Sequence, residues 1–280
     1  RCNRENISKY LPKFRVLRVG TLEQFHRHLS TQGPGNIQET VLFWILIPLG
    51  LLYGSLMWLR SALYRTGFLP TCHSKIPVVS VGNLAVGGTG KTPFTDYLLD
   101  YFENKGLRPA VVSRGYGGSF SGKLAVVSDG KGPVLTADYC GDEPYLLAQK
   151  HPQALVIIAP RRRDAINWIN TNKNVDIIIL DDAFQHLQVD RNLNVVLMDA
   201  KRPYGNGFPL PVGLLREFPG ALKRADLVVL TRASEGWVDL DLQGLPIAIS
   251  RHRFSSQLRA LSGGQIRLDD LLGKQGVAFS

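Results

Sequence analysis

Ile76-Pro77-Val78-Val79-Ser80-Val81-Gly82-Asn83-Leu84-Ala85-Val86-Gly87-Gly88-Thr89-Gly90-Lys91-Thr92 is the stretch on which the fold turns. Residues 76–82 are apolar and valine-rich, as a buried strand requires, and a helix is expected from about residue 92 to 105. Gly87, Gly88 and Gly90 allow torsions and a close approach that a Cβ would forbid. Successive backbone N–H groups then converge on an anion, assisted by the helix N-terminus. On this reading Ala85, Val86, Gly87, Gly88, Thr89, Gly90, Lys91 and Thr92 cradle a nucleoside triphosphate. Lys91 reaches the β- and γ-phosphates, and the Thr92 hydroxyl binds Mg²⁺. The strict pattern opens on Gly, where this chain has Ala85; a negative φ at that position accommodates the methyl.

Outward from this loop the texture is α/β. Short Val/Ile-rich runs recur at 109–113, 154–159, 175–180, 194–198, 225–231 and 245–249, apolar on both faces. Helical stretches are expected at about 143–150, 161–172 and 217–224. Such alternation predicts a mostly parallel sheet flanked by helices, with right-handed crossovers. The run Ile177-Ile178-Ile179-Leu180 ends in Asp181 and Asp182, so carboxylates emerge at the strand's C-terminal edge, where open α/β sheets bind ligands. With Thr92, both aspartates are candidate Mg²⁺ ligands. Three weaker signals accompany them. Arg114 lies in Ser113-Arg114-Gly115-Tyr116-Gly117-Gly118 and could clamp an anion. Asp142, in Gly141-Asp142-Glu143-Pro144, either caps a helix or accepts a proton from a hydroxyl. Arg216 belongs to a Gly/Pro-rich loop, 201–220, that could grip an acceptor, whereas Arg161-Arg162-Arg163 reads as a solvated charged face.

Upstream, Val41 to Leu59 runs without a charge, long enough to cross or lie in a bilayer. Pro48, Gly50 and Gly54 weaken it as a soluble helix, and cations on both sides leave it without a clear orientation. The expected organisation is a basic extension over 1–40 compatible with disorder, a membrane-associated helical segment over 41–75, a P-loop core over 76–232 and the start of a C-terminal lobe over 233–280. The 280 residues carry a net charge of +10, suited to an anionic surface or a phosphorylated partner. Three scattered cysteines argue against a disulfide framework or a zinc site, and His26-x-His28, the one metal-like histidine spacing, reads as a surface pair without a third and fourth ligand. No aromatic-interleaved basic stretch points to nucleic acid.

Taken in order, VGNLAVGGTGKTP (81–93), SRGYGG (113–118), GDEPYLLA (141–148), LDDAFQH (180–186) and GNGFPLPVGLLREFPGALKRADLVVLTR (205–232) resemble the tetraacyldisaccharide 4'-kinase family. The resemblance covers roughly residues 41–280. It implies transfer of the γ-phosphate of ATP, with Mg²⁺, to the 4'-hydroxyl of a tetraacylated disaccharide 1-phosphate, giving lipid IVA in lipid A biosynthesis. It also implies the cytoplasmic face of the bacterial inner membrane, with a lipid disaccharide phosphate and the membrane surface as partners; neither a nucleic-acid nor a protein partner is expected from the sequence. Carried over by motif, the catalytic residues are Lys91, Asp142 and Asp182; His186 contacts substrate or positions its loop, and Arg114, Arg161 or Arg216 binds the acceptor's 1-phosphate. The chain has Ala183 where the family has Gly, and a later Asp-His-His motif has no counterpart. The first residue is Arg and the last run, Val277-Ala278-Phe279-Ser280, resembles a strand cut short, so a C-terminally truncated chain that binds nucleotide better than it turns over is expected. The other readings are a P-loop GTPase or ATPase switch of the metallochaperone type and a membrane-bound fragment that only binds nucleotide. A guanine-reading Asn-Lys-x-Asp is expected in such a GTPase, but the late strand ends in Leu230-Thr231-Arg232-Ala233.

Overall fold

The computed structural model describes residues 28–233, 240, 242 and 244–251, and the backbone of residues 257–259 and 265–267. The basic extension up to residue 27, with His26, and most of the segment expected to begin a C-terminal lobe lie outside the described residues. Arg27–Arg251 forms one compact unit.

Its centre is a sheet in the order β3-β4-β2-β5-β1-β6-β7-β8. The strands are β1 Val78–Asn83, β2 Pro109–Ser113, β3 Ala125–Asp129, β4 Leu155–Ile158, β5 Ile177–Leu180, β6 Leu193–Asp199, β7 Leu227–Thr231 and β8 Ile247–Ile249. All pair in parallel except β3, which runs antiparallel to β4 at the edge. The expected runs all become strands. Within this sheet the one strand not read from the sequence is β3, which buries only part of its length and so lacks the two-faced apolar pattern of the others.

Alternation along the strands feeds cores on both faces of the sheet, with a third cluster around Val196, Met198, Val228 and Leu230 beside Phe184 and Leu215. Val79, Val111, Val156 and Ile179 pack under α2 (Lys91–Asn104) and α4 (Asp142–Lys150), with Leu99 and Leu147 supplying the helical side. Val78, Val112, Ile157 and Ile178 face α5 (Arg162–Asn172) through Ala165, Ile166 and Ile169. The short α3 (Ala137–Cys140) leads into α4, and the stretch expected as helix near 217–224 is a 3₁₀ turn, Pro219–Arg224, opened by its proline. A parallel sheet sends every parallel strand's C-terminal end to one edge. The glycine-rich loop, the SRGYGG loop, the Asp181-Asp182 turn and the Arg232 turn therefore open on the same side.

The apolar segment forms α1, Ile37–Arg65. It starts earlier than the charge-free run because Asn36 caps it, its side chain accepting the Glu39 N–H at 2.9 Å. Residues 37–40 thus belong to this helix, and Leu29 is buried. Gly50 and Gly54 are the contact face. A Cβ on Gly54 would sit 2.5 Å from the Phe218 ring and 2.9 Å from Pro209, and one on Gly50 would sit 3.1 Å from the Pro209 carbonyl. Phe43 adds an edge-on contact with Phe208, centroids 5.3 Å apart. The opposite face leaves Val41, Trp44, Ile45, Leu49, Leu52 and Leu56 exposed. In its most apolar window the helix has mean hydropathy 1.9 with 11% of that window buried.

A second unit includes β9 (Gln257–Arg259) and β10 (Gln265–Arg267), an antiparallel pair described by itself.

Candidate active site

The glycine-rich loop leaves β1 and enters α2 through Gly90, whose φ of 80° is left-handed and favours glycine. Ala85 is not among the residues with positive φ, so its methyl is accommodated as expected. The loop is held from two sides. Asn83 Nδ2 donates to Thr89 Oγ1 at 3.0 Å. The 201–220 loop braces its first half: Val86 N–H donates to the Leu214 carbonyl at 2.8 Å, and Arg216 N–H to the Leu84 carbonyl at 2.8 Å.

Beside this loop, β5 delivers the two aspartates into different surroundings. Asp181 is 2% exposed; its carboxylate accepts the Thr95 hydroxyl at 3.3 Å and the Ser113 hydroxyl at 3.4 Å. Burial, then the nearby Glu143 and Asp182 carboxylates, push its pKa up to about 6 against the pull of Arg162 and Lys91. Asp182 turns the other way, at φ 46°, with its side chain 36% exposed. Its Oδ1 lies 2.9 Å from Arg216 Nη1 and 3.7 Å from Lys91 Nζ. Burial alone would raise its pKa; Lys91 and Arg216 outweigh it and hold the carboxyl below its ordinary value.

The turn carrying these groups is pinned. Gly82 allows it to cross β1, since a Cβ there would lie 2.5 Å from the Phe184 nitrogen. Arg162 donates to the Asp181 carbonyl and the Ala159 carbonyl, each at 2.9 Å. It is 1% exposed, so the Arg161–Arg163 run is not one solvated face: the first turn of α5 carries its middle residue under the sheet edge. Arg191 donates to the Ala183 carbonyl at 3.0 Å and the His186 carbonyl at 2.7 Å. Gln185 reaches back to the Asn83 carbonyl at 3.0 Å and accepts Arg60 of α1 on its own carbonyl at 2.9 Å. None of Arg162, Arg191, Gln185 and Asn83 is singled out by the sequence reading; a cation directly after a buried strand, as at Arg162, is the signal available.

Lys91, Asp182 and Arg216 thus meet. Arg216, one of three candidates for the acceptor's 1-phosphate, pairs with Asp182 and donates to Gln185 Oε1 at 3.4 Å. His186 is partly buried; burial first, then the Arg162 and Arg114 cations, push its pKa down to about 4. Arg114 is exposed at the end of β2, close enough to disfavour protons on both His186 and Arg162. Asp142 is exposed at the first position of α4. Its turn packs on the SRGYGG loop, where a Cβ on Gly141 would meet the Tyr116 carbonyl at 2.5 Å. At the other end of the loop, Arg232 (φ 59°) bonds the Gly88 carbonyl and pairs with Asp199 at 3.2 Å.

A backbone anion cradle beside a lysine, a paired carboxylate and two arginines defines a P-loop nucleotide-binding protein. The model of the LpxK family, tetraacyldisaccharide-1-P 4'-kinase, matches residues 42–280. Tetraacyldisaccharide 4'-kinase of Syntrophotalea carbinolica is 46% identical over 260 residues, 92% of this chain and 72% of that protein. The protein of the same name in Pelobacter propionicus is 39% identical over 261 residues, 93% of this chain and 72% of its own. The crystal structure of LpxK from Aquifex aeolicus in complex with ATP superposes with a TM-score of 0.74 at 33% identity, covering 84% of this chain and 72% of that one. The chain belongs to the tetraacyldisaccharide-1-P 4'-kinase family.

Proposed function

We propose that this chain is an ATP-dependent kinase that phosphorylates the 4'-hydroxyl of a tetraacylated disaccharide 1-phosphate in lipid A biosynthesis. It works at the cytoplasmic face of the bacterial inner membrane. The observation that carries the reading is the convergence of Lys91, Asp182 and Arg216 beside the glycine-rich loop. The loop that supplies Arg216 also seats the apolar helix α1.

Each residue has a role in this reading. The backbone of Ala85–Thr92 holds the triphosphate, and Lys91 draws charge from its β- and γ-oxygens. Arg216 stabilises charge on the phosphoryl group in transfer. Thr92 and Asp182 would hold Mg²⁺, with Asp181 behind them; hydroxyl and carboxylate oxygens are the hard donors that Mg²⁺ takes. Mg²⁺, when bound, neutralises charge on the β- and γ-phosphate oxygens. Asp142 accepts the 4'-hydroxyl proton as that oxygen bonds to the γ-phosphorus and the bond to ADP breaks. Arg114, exposed and free of the Asp182 ion pair, is the better candidate for the acceptor's 1-phosphate. The exposed apolar face of α1 rests in the leaflet while its glycine face stays on the protein, an interfacial seat rather than a span.

The test is phosphotransfer from [γ-³²P]ATP to a lipid A disaccharide precursor in detergent with Mg²⁺. Asp142→Asn should lower kcat by about 10²–10⁴-fold with ATP affinity retained, and Lys91→Ala should abolish labelling. Lipid labelling that persists in both variants overturns the residue roles. ATP hydrolysis indifferent to any lipid acceptor favours a nucleotide switch instead.

A further inference from the structure

Arg232 has no role in the reaction as set out above, yet its surroundings are specific. It ends β7 in a left-handed conformation, φ 59°, which a non-glycine residue adopts at a cost. Both terminal nitrogens are committed to fixed acceptors. Nη1 pairs with Asp199 Oδ2 at 3.2 Å at the end of β6, and Nη2 donates to the Gly88 carbonyl in the middle of the glycine-rich loop. Asp199 is itself fixed, its Oδ1 accepting the Lys201 N–H at 2.9 Å and the Arg202 N–H at 3.2 Å. The side chain is nevertheless 54% exposed. A guanidinium held by its edge in this way is a plane of fixed orientation.

Its place in the sheet says what that plane faces. The order β5-β1-β6-β7 sets the glycine-rich loop between the Asp181-Asp182 turn on one side and the ends of β6 and β7 on the other. The Lys91, Asp182 and Arg216 group marks the β5 side as the γ-phosphate end. A triphosphate lying along the loop therefore directs its nucleoside toward β6 and β7, where Arg232 stands.

We propose that Arg232 is the base-side residue of the nucleotide site, its guanidinium stacking on the purine ring while its bond to Gly88 ties the base pocket to the phosphate loop. This rests on reading the chain as an ATP-dependent kinase. Stacking of a cation on a π-face reads the plane of the base and not its edge. It supplies, in another chemistry, the base contact that Leu230-Thr231-Arg232-Ala233 lacks as a guanine-reading motif.

Calorimetric titration of the full chain with Mg·ATP and with Mg·tripolyphosphate, which has no base, separates the possibilities. Arg232→Ala should weaken ATP about 3- to 30-fold and leave tripolyphosphate within about 2-fold. Arg232→Lys, which keeps the charge but not the plane, should lose ATP affinity in the same selective way and serves if the alanine variant does not fold. Equal weakening of both ligands reduces Arg232 to a brace of the loop and overturns the proposal, as does unchanged ATP affinity. Wild-type protein that binds neither ligand sinks the ATP-site reading itself, and Lys91→Ala, which should weaken both, marks that difference.

Discussion

Asp181 and Asp182 are adjacent and chemically identical, yet one is closed off beneath two hydroxyls and the other meets Lys91 and Arg216. The left-handed turn at Asp182 makes the division by rotating one carboxylate out as the other goes in. His186 is shaped by the same crowding of cations. With its pKa pushed down to about 4, it is a neutral imidazole near pH 7 in the ligand-free protein. Its ring resonances should therefore not titrate between about pH 5.5 and 8 in an NMR series; a midpoint inside that range would contradict the burial and charge described for it. The pair of aspartates was legible in the sequence as a pair, because an apolar strand ending in carboxylates is a local pattern. Their opposite surroundings were not, because those depend on Thr95, Ser113, Arg162 and Arg216, all distant in the chain. Arg162 shows the same limit: its neighbours in sequence are cations, and only the strand edge above it makes it an interior residue.

Among elements, the two helices that begin at Lys91 and Asp142 are tied to each other along their length. α2 bears Lys91 and α4 bears Asp142 at their N-termini. His151, which caps α4, lies 2.9 Å from Glu103 and 2.9 Å from Asp96, both on α2, and 3.8 Å from Asp100. Lys150 of α4 also pairs with Asp96 at 2.6 Å. Burial alone would lower the His151 pKa, but these carboxylates outweigh it and raise it. A raised folded-state pKa contributes stability that is complete below the unfolded value of about 6.5 and fades as pH rises through the folded one. The gap in urea midpoint between wild type and His151→Gln should thus be widest near pH 6 and narrow toward about pH 9. A gap that widens with pH would show that the imidazolium is not what ties the helices. The sequence marks both helices but not this tie, whose partners lie 48 and 55 positions apart. For α1 the critical contact is Gly54 against Phe218 and Pro209. Gly54→Leu should undock the helix at a cost of about 1–3 kcal/mol and make the chain after Arg60 cleavable by trypsin; resistance equal to wild type would place the docking elsewhere.

At the scale of the whole molecule, one parallel sheet brings segments more than a hundred residues apart to a single edge. This much the sequence made plain, since alternating Val/Ile runs and helices admit few other arrangements. The interfacial seat proposed for α1 rests on its exposed apolar face and can be tested there. With Leu49→Glu and Leu52→Glu together, binding to vesicles of mixed anionic and zwitterionic lipid should fall at least about tenfold in flotation, while Mg·ATP affinity in solution stays unchanged. Vesicle binding that survives both substitutions would mean that another surface meets the lipid. Gln185, finally, joins two worlds: its carbonyl takes the Arg60 guanidinium of α1, and its side chain holds the Asn83 carbonyl at the end of β1. The apolar helix and the strand that launches the phosphate loop thus share a single residue. A displacement of α1 therefore pulls on the loop's own anchor, so whatever surface this helix rests on is coupled mechanically to the phosphate loop.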